Sequence, residues 1–189
     1  MSTRVQDLGG GALSLRQFDS LPKLVVLPEE RCEEVCRLEP QCYPHPWSAE
    51  LIRGEFKKEV SFRPALVIDE EIAAYSFNYL VVDELHILNI AVVPEFRGAG
   101  LGKLLLASLL RMAIGRGAGY ATLEVRQSNL VAQRLYTSLG FSLAGMRRHY
   151  YRDNGEHALV LERELGVENH PFLEQAIAEA GQRLEVRAG

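Results

Sequence analysis

A mixed α+β domain is the fold class that the sequence predicts, and three observations predict it. Residues 62–68 and 72–82 read as strands joined by Asp69, Glu70 and Glu71, which implies a hairpin without a glycine. Ile87, Leu88, Ile90, Val92 and Val93 form a short, mostly β-branched run closed by Pro94, which has no N–H for a ladder; a glycine loop and a helix follow. Residues 141–151 and 157–164 then pair around Asp153, Asn154 and Gly155, where Asn-Gly favours a tight turn. Strands on both sides of a helix, ending in a hairpin, give an α+β or mixed α/β pattern.

The remaining elements follow in chain order. Residues 1–21 carry Gly9, Gly10 and Gly11 with little periodicity, so they read as a loose leader with a short extended piece at 12–15. Leu24 to Leu27 is a strand candidate stopped by Pro28, and Pro28 with Glu29 and Glu30 is good first-turn chemistry for a helix to about Glu39. Its acidic residues are either a solvated face or an attraction for a basic substrate segment. Two prolines in three residues make 43–48 a loop, and Ser48 is positioned to cap a helix through Lys57. Trp47, at the end of that loop, is either a core plug or a wall of a substrate pocket.

Leu101, Leu104, Leu105, Leu109 and Met112 recur at helical spacing, so a helix starts within or just after the glycines and ends around 115–119. Residues 120–125 form a period-2 strand that carries Glu124. Ser128 and Asn129 can cap the next helix, on which Val131, Leu135 and Leu139 form an apolar stripe, Tyr136 lies one position off it and Gly140 supplies the stop. After Gly166, Phe172, Ala176, Ile177 and Ala180 are spaced for an amphipathic helix expected to pack on its own domain. The expected organisation is a leader at 1–21, a domain at 22–165 and an appended helix at 166–189.

With 189 residues, 47% of them hydrophobic, the chain is long enough for one domain with a substantial core. A net charge of −4 gives no electrostatic footprint for nucleic acid. No apolar run approaches the length of a membrane span, and the first residues lack the build of a signal peptide, so the expected home is the cytoplasm. Cys32, Cys36, Cys42 and His45 lie close in sequence, but their spacing matches none of the usual zinc patterns; free thiols and no metal are expected.

Gly98, Gly100 and Gly102 at a helix N-terminus combine free N–H groups, a positive dipole end and room for close approach, an anion site suited to phosphate. A Walker loop does not fit, because Arg97 stands at its first glycine position and Leu104 where a hydroxyl belongs. The dinucleotide fingerprint fails too, because the spacing is Gly-x-Gly-x-Gly and the loop lies mid-chain.

Arg97-Gly98-Ala99-Gly100-Leu101-Gly102, directly after a strand ending Ile90-Ala91-Val92-Val93-Pro94, resembles the acetyl-CoA loop of the GNAT acetyltransferases, Gln/Arg-x-x-Gly-x-Gly/Ala. Residues 123–129 and 135–141, the Pro46-Trp47-Ser48 loop and the Tyr150-Tyr151 pair resemble segments of the bacterial ribosomal-protein alanine N-acetyltransferases within that family. The similarity covers roughly 22–164. It implies a GNAT-type fold, a central, mixed and mostly antiparallel sheet flanked by helices, with acetyl-CoA as co-substrate.

The resemblance also implies roles. Ile90, Ala91 and Val92 would be the splayed strand whose backbone groups pair with the pantetheine arm and polarise the thioester carbonyl. Backbone N–H groups of Arg97, Gly98, Ala99, Gly100, Leu101, Gly102 and Lys103 would hold the pyrophosphate, and Asn129 would contact the cofactor further along. Glu124 would be the general base, through water, and Tyr136 the general acid for the leaving thiolate. Trp47, Tyr150 and Tyr151 are expected on the acceptor side. The loop opens with Arg97 where glutamine is common, and His157 stands where the family often has aspartate.

The implied function is transfer of acetyl to the N-terminal alanine of a small-subunit ribosomal protein, with a protein N-terminus as partner and no role for nucleic acid or membrane. The alternatives are a transferase for a small amine or a lysine side chain, and an acyl-CoA-binding module without turnover. The appended helix at 166–189 could instead pair subunits or cover the site, so the sequence leaves the oligomeric state open.

Overall fold

The computed structural model describes residues 20–188; the loose leader expected at 1–21 falls almost wholly outside them. The elements run β1 (Lys23–Val26), a 3-10 turn (Glu29–Arg31) leading into α1 (Cys32–Cys42), α2 (Ala49–Phe56), β2 (Ser61–Phe62), β3 (Pro64–Ile68), β4 (Glu71–Val81) and β5 (Glu84–Val92). There follow α3 (Leu101–Ile114), β6 (Tyr120–Arg126), α4 (Leu130–Ser138), β7 (Ser142–Arg147), β8 (Ala158–Glu164) and α5 (His170–Ala188). The strands form one sheet in the order β1-β3-β4-β5-β6-β8-β7, with β2 beside β4. Every pairing is antiparallel except β5 with β6.

Helices cover both faces. Tyr75 and Phe77 of β4 face α1 and α2, where the Tyr75 hydroxyl donates to Glu39 and the Phe77 ring meets Trp47 at 5.4 Å and Phe56 at 5.8 Å. On the other face Leu85, Ile87 and Leu123 pack with Leu106, Leu109 and Leu110 of α3. Helix α5 lies on α3, burying Leu173, Ala176, Ala180 and Leu184, with Lys103–Glu179 and Arg111–Glu174 ion pairs at its rim.

Several local expectations are corrected. Residues 62–68 are two strands because Pro64 cannot donate to β4 and the ladder breaks at Arg63. The hairpin expected at 69–71 without a glycine does form, turning through Asp69 and Glu70 with φ of 50° and 66°, a left-handed pair. On α4, Val131 is 80% exposed, while Tyr136 and Leu139 are buried: the core-facing stripe passes through Tyr136 rather than beside it. On α5 it is Leu173, not Phe172, that is buried. The closing hairpin is shorter than expected: β7 stops at Arg147, and residues 148–157 form a loop in which the Asn154-Gly155 turn is only one part.

One irregularity in the sheet sets up the site. Asn78 pairs with Ile87 and Phe77 with Asn89, so Leu88 is an extra residue in β5, a bulge. Before it, Leu85 and Ile87 face α3; after it, Asn89 and Ala91 stand opposite Phe77 and Tyr75 and face α1. The bulge turns the second half of β5 over and bends it away from β6.

Candidate active site

The parallel ladder of β5 with β6 ends at Ile87 and Leu123, although β5 continues to Val92 and β6 to Arg126. The two strands therefore splay into a wedge. The Val93 N–H donates to Ala73 at 3.0 Å, so by the alternation of an antiparallel ladder the backbone of Ala91 faces β4 and that of Ile90 and Val92 faces the wedge. Protein donors cover the carbonyls on that side: the Tyr43 hydroxyl reaches Ile90 O at 2.6 Å and Arg97 Nε reaches Val92 O at 3.1 Å. The N–H groups of Ile90 and Val92 are aimed into the wedge, where a ligand carbonyl can accept from them.

The glycine loop closes one end of the wedge. Arg97 folds back, its Nη2 also donating to Cys42 O at 2.9 Å, so its side chain braces the loop. Gly98 and Gly100 have φ of 76° and 88°, and Gly100 is the N-cap of α3. Ala99 and Leu101 point into the core. The α3 helix thus begins with first-turn N–H groups that have no helical acceptor, the physical basis of an anion site. Gly102 lies between Val92 and Leu135; a Cβ there would sit 3.6 and 3.4 Å from their methyl groups, filling the approach to the wedge. The Lys103 ammonium is paired with Glu179. Asn129 caps α4, its side chain accepting from Ala132 N at 3.1 Å.

Two side chains are expected to do chemistry, one on β6 and one on α4. Glu124 is on β6 opposite Val160, its side chain 27% exposed and paired with Arg147 Nη2 at 3.1 Å. Tyr136 is buried on α4 with its ring edge-on to Phe141 at 5.9 Å. Burial, reinforced by Tyr151, raises its hydroxyl pKa, so it keeps its proton at neutral pH. Tyr151 in turn is pushed up to about 12, chiefly by burial, opposed by the Arg126 guanidinium that lies 3.7 Å over its ring, and it feels the charge of Glu124. Tyr43 is raised by burial first and then by Tyr136. Tyr43, Tyr136, Tyr151 and Glu124 are thereby linked electrostatically into one cluster around the mouth of the wedge.

Two loops flank that mouth. His45 Nε2 lies 3.1 Å from Asp153 Oδ2, and Asp153 accepts from Arg126 at 2.7 Å, which ties the 43–48 loop to the 148–157 loop. Glu156 accepts from Ser128 N at 2.6 Å and fastens the same loop to the start of α4. Tyr150 is 44% exposed and edge-on to Tyr151. Trp47 is half-buried against Phe77, and its backbone N–H donates to Glu39 Oε1 at 3.1 Å, so it is mainly part of the core under the loop. Cys32, Glu33 and Cys36 have ligand atoms within 4.8 Å of one another, but the Cys32 thiol is pushed up to about 11, chiefly by burial, and Glu33 is paired with Arg53.

Sequence reasoning did not single out Tyr43, Arg126, Arg147 or Asp153. Tyr43 had a local signal, an aromatic hydroxyl in a proline-rich loop next to Trp47. The others are defined by partners in distant strands and loops.

The comparisons with known proteins agree with this geometry. Residues 32–141 match the acetyltransferase (GNAT) family. The [ribosomal protein bS18]-alanine N-acetyltransferase of Salmonella typhimurium is 39% identical over 115 residues, 61% of this chain and 77% of its own length. The Escherichia coli K12 enzyme of the same name is 35% identical over 127 residues, 66% of this chain and 84% of its own. The crystal structure of the ribosomal-protein alanine N-acetyltransferase from E. coli superimposes with a TM-score of 0.73 at 31% identity, over 78% of this chain and 96% of that one. No helix among the described residues is long and apolar enough to cross a membrane. The chain belongs to the GNAT acetyltransferase family and is an acetyl-CoA-dependent N-acetyltransferase, with its similarity running to the ribosomal-protein alanine branch.

Proposed function

We propose that the protein acetylates the N-terminal alanine of a small-subunit ribosomal protein in the cytoplasm, by direct transfer within a ternary complex. The observation that carries the mechanism is the wedge itself: Ile90 and Val92 N–H groups on one wall and the Glu124 carboxylate one residue past the last paired position of β6; the Tyr136 hydroxyl, kept protonated by burial, supplies the acid. The named acceptor of the relatives supplies the substrate.

In this reading the glycine loop and the first turn of α3 hold the pyrophosphate, and Asn129 meets the cofactor further along. The thioester carbonyl accepts from wedge-facing N–H groups, which stabilise the oxyanion of the tetrahedral intermediate. Glu124 takes a proton from the acceptor amine through water, the amine nitrogen bonds to the acetyl carbon, and the carbon–sulfur bond breaks. Tyr136 donates its hydroxyl hydrogen to the departing sulfur. Tyr150 and Tyr151 line the side from which the acceptor enters, and Trp47 supports the loop beside them from the core.

The amine chemistry favours an N-terminus. An α-amino group, with a reference pKa near 7.7–8.0, is easier to deprotonate than lysine, near 10.4, by roughly 3.5 kcal/mol. One carboxylate relaying through water suffices for the first. The test is intact-mass analysis after incubation with acetyl-CoA and peptides that begin with alanine. A gain of one acetyl on the α-amine is expected, and acetylation confined to lysine-bearing or small-molecule amines would overturn the proposal.

A further inference from the structure

The ion pair between Glu124 and Arg147 bears on a difficulty in the reaction. An acceptor amine reaches the site partly as an ammonium ion, and an isolated carboxylate within about 4–6 Å of an amine stabilises its charged form, raising the amine pKa by about 1–3 units. A lone glutamate at the mouth of the wedge would therefore hold the acceptor in its unreactive state.

The surroundings of Glu124 determine whether that happens. Val160 stands opposite it on β8, and Tyr151 faces it from the 148–157 loop as a neutral hydroxyl. Arg126, two residues along β6, has its charge committed to Asp153 at 2.7 Å and Glu156 at 3.4 Å. His86 and Glu162 flank Thr122, one step back on the same face. Tyr136, from α4, is coupled to Tyr151 and protonated. Arg147, at the end of the edge strand β7, places Nη2 3.1 Å from Glu124 Oε1, with its guanidinium 5.6 Å from the Tyr150 ring centroid.

We propose that Arg147 is a positioning residue of the reaction: by neutralising Glu124 it prevents the site from trapping the acceptor α-amine as an ammonium ion, while leaving the carboxylate free to accept the proton through water. The inference rests on the reading of Glu124 as the base. It adds that the base works as half of a neutral pair, so that the acceptor amine loses its proton near its free-solution value. The Arg147 side chain is 56% exposed, so replacing it removes a surface ion pair and leaves the core intact.

The test is kcat against pH, with saturating acetyl-CoA and a saturating alanine-initiated peptide so that the profile reports the bound amine, for the intact protein and for Arg147→Gln, Arg147→Lys and Glu124→Gln. In Arg147→Gln the limb that reports deprotonation of the acceptor moves up by about one pH unit. The rate at pH 7 falls about tenfold and is recovered by pH 9, and Arg147→Lys restores the original profile. An Arg147→Gln profile that superimposes on the parent, or that is lowered equally at every pH, overturns the inference. Full activity in Glu124→Gln would instead overturn the assignment of the base; loss of activity there with an unshifted Arg147→Gln profile defeats only the role of Arg147.

Discussion

The Tyr43 hydroxyl lies 2.6 Å from the carbonyl oxygen of Ile90 and 2.7 Å from Asn89 Oδ1, so one proton serves two acceptors. Through this contact the loop after α1 holds the wall of the wedge, and Asn89 passes the connection on to Glu39. Replacing Tyr43 with phenylalanine leaves both oxygens short of a donor. An unfolding free energy lower by about 1–2 kcal/mol is expected from urea titration, together with weaker acetyl-CoA binding by calorimetry. Parent-like stability would mean that the loop does not brace the strand.

Gly100 has a φ of 88°, and a Cβ built there meets nothing within 4 Å. The cost of Gly100→Ala is therefore backbone strain rather than a clash, about 1 kcal/mol of stability. Because the strain falls at the N-cap of α3, relief of it would redirect the first-turn N–H groups proposed to hold the pyrophosphate. The dissociation constant for acetyl-CoA should rise severalfold, and an unchanged constant would remove the loop from the cofactor site.

Tyr136→Phe keeps the ring and its edge-on contact with Phe141 while removing the hydroxyl. Loss of a positioned proton donor lowers kcat by about a hundredfold or more, with acetyl-CoA affinity within about twofold of the parent. A variant that turns over at the parent rate would exclude Tyr136 from the acid role.

Glu156 ties the 148–157 loop to the start of α4, and its carboxyl is held down at about 2, chiefly by its hydrogen bonds with Ser128. A group depressed in the folded state contributes stability above its unfolded pKa, about 4.3 for glutamate, and loses it as pH falls through the folded value. The gap in melting temperature between the parent and Glu156→Gln should be constant above about pH 5 and close between about pH 5 and 2. A gap independent of pH over that window would show that the carboxylate is not held this way.

The parts of the site that were legible in the sequence are those built from neighbouring residues. The β-branched run, Pro94 and the alternating glycines specify strand, loop and helix within two dozen positions, and Asn129 and Ser48 each cap the helix they precede. Expectations failed where the deciding partner is remote. Pro64 splits 62–68 only because β4 lies alongside. The stripe on α4 includes Tyr136 and omits Val131 because Phe141 and the sheet set the helix's rotation about its axis. Tyr43 bonds to a residue 47 positions later and Arg147 to one 23 earlier, and neither spacing leaves a periodic trace.

The bulge at Leu88 makes the wedge depend on a count of residues. A substitution in β5 alters one contact, but deletion of Leu88 would remove the extra residue and straighten β5, with Asn89 to Val92 still opposite Phe77 to Ala74. The kink that carries β5 away from β6 would go, and the wall would become an ordinary partner for β6. In evolutionary terms this strand is a frame that one lost codon would close.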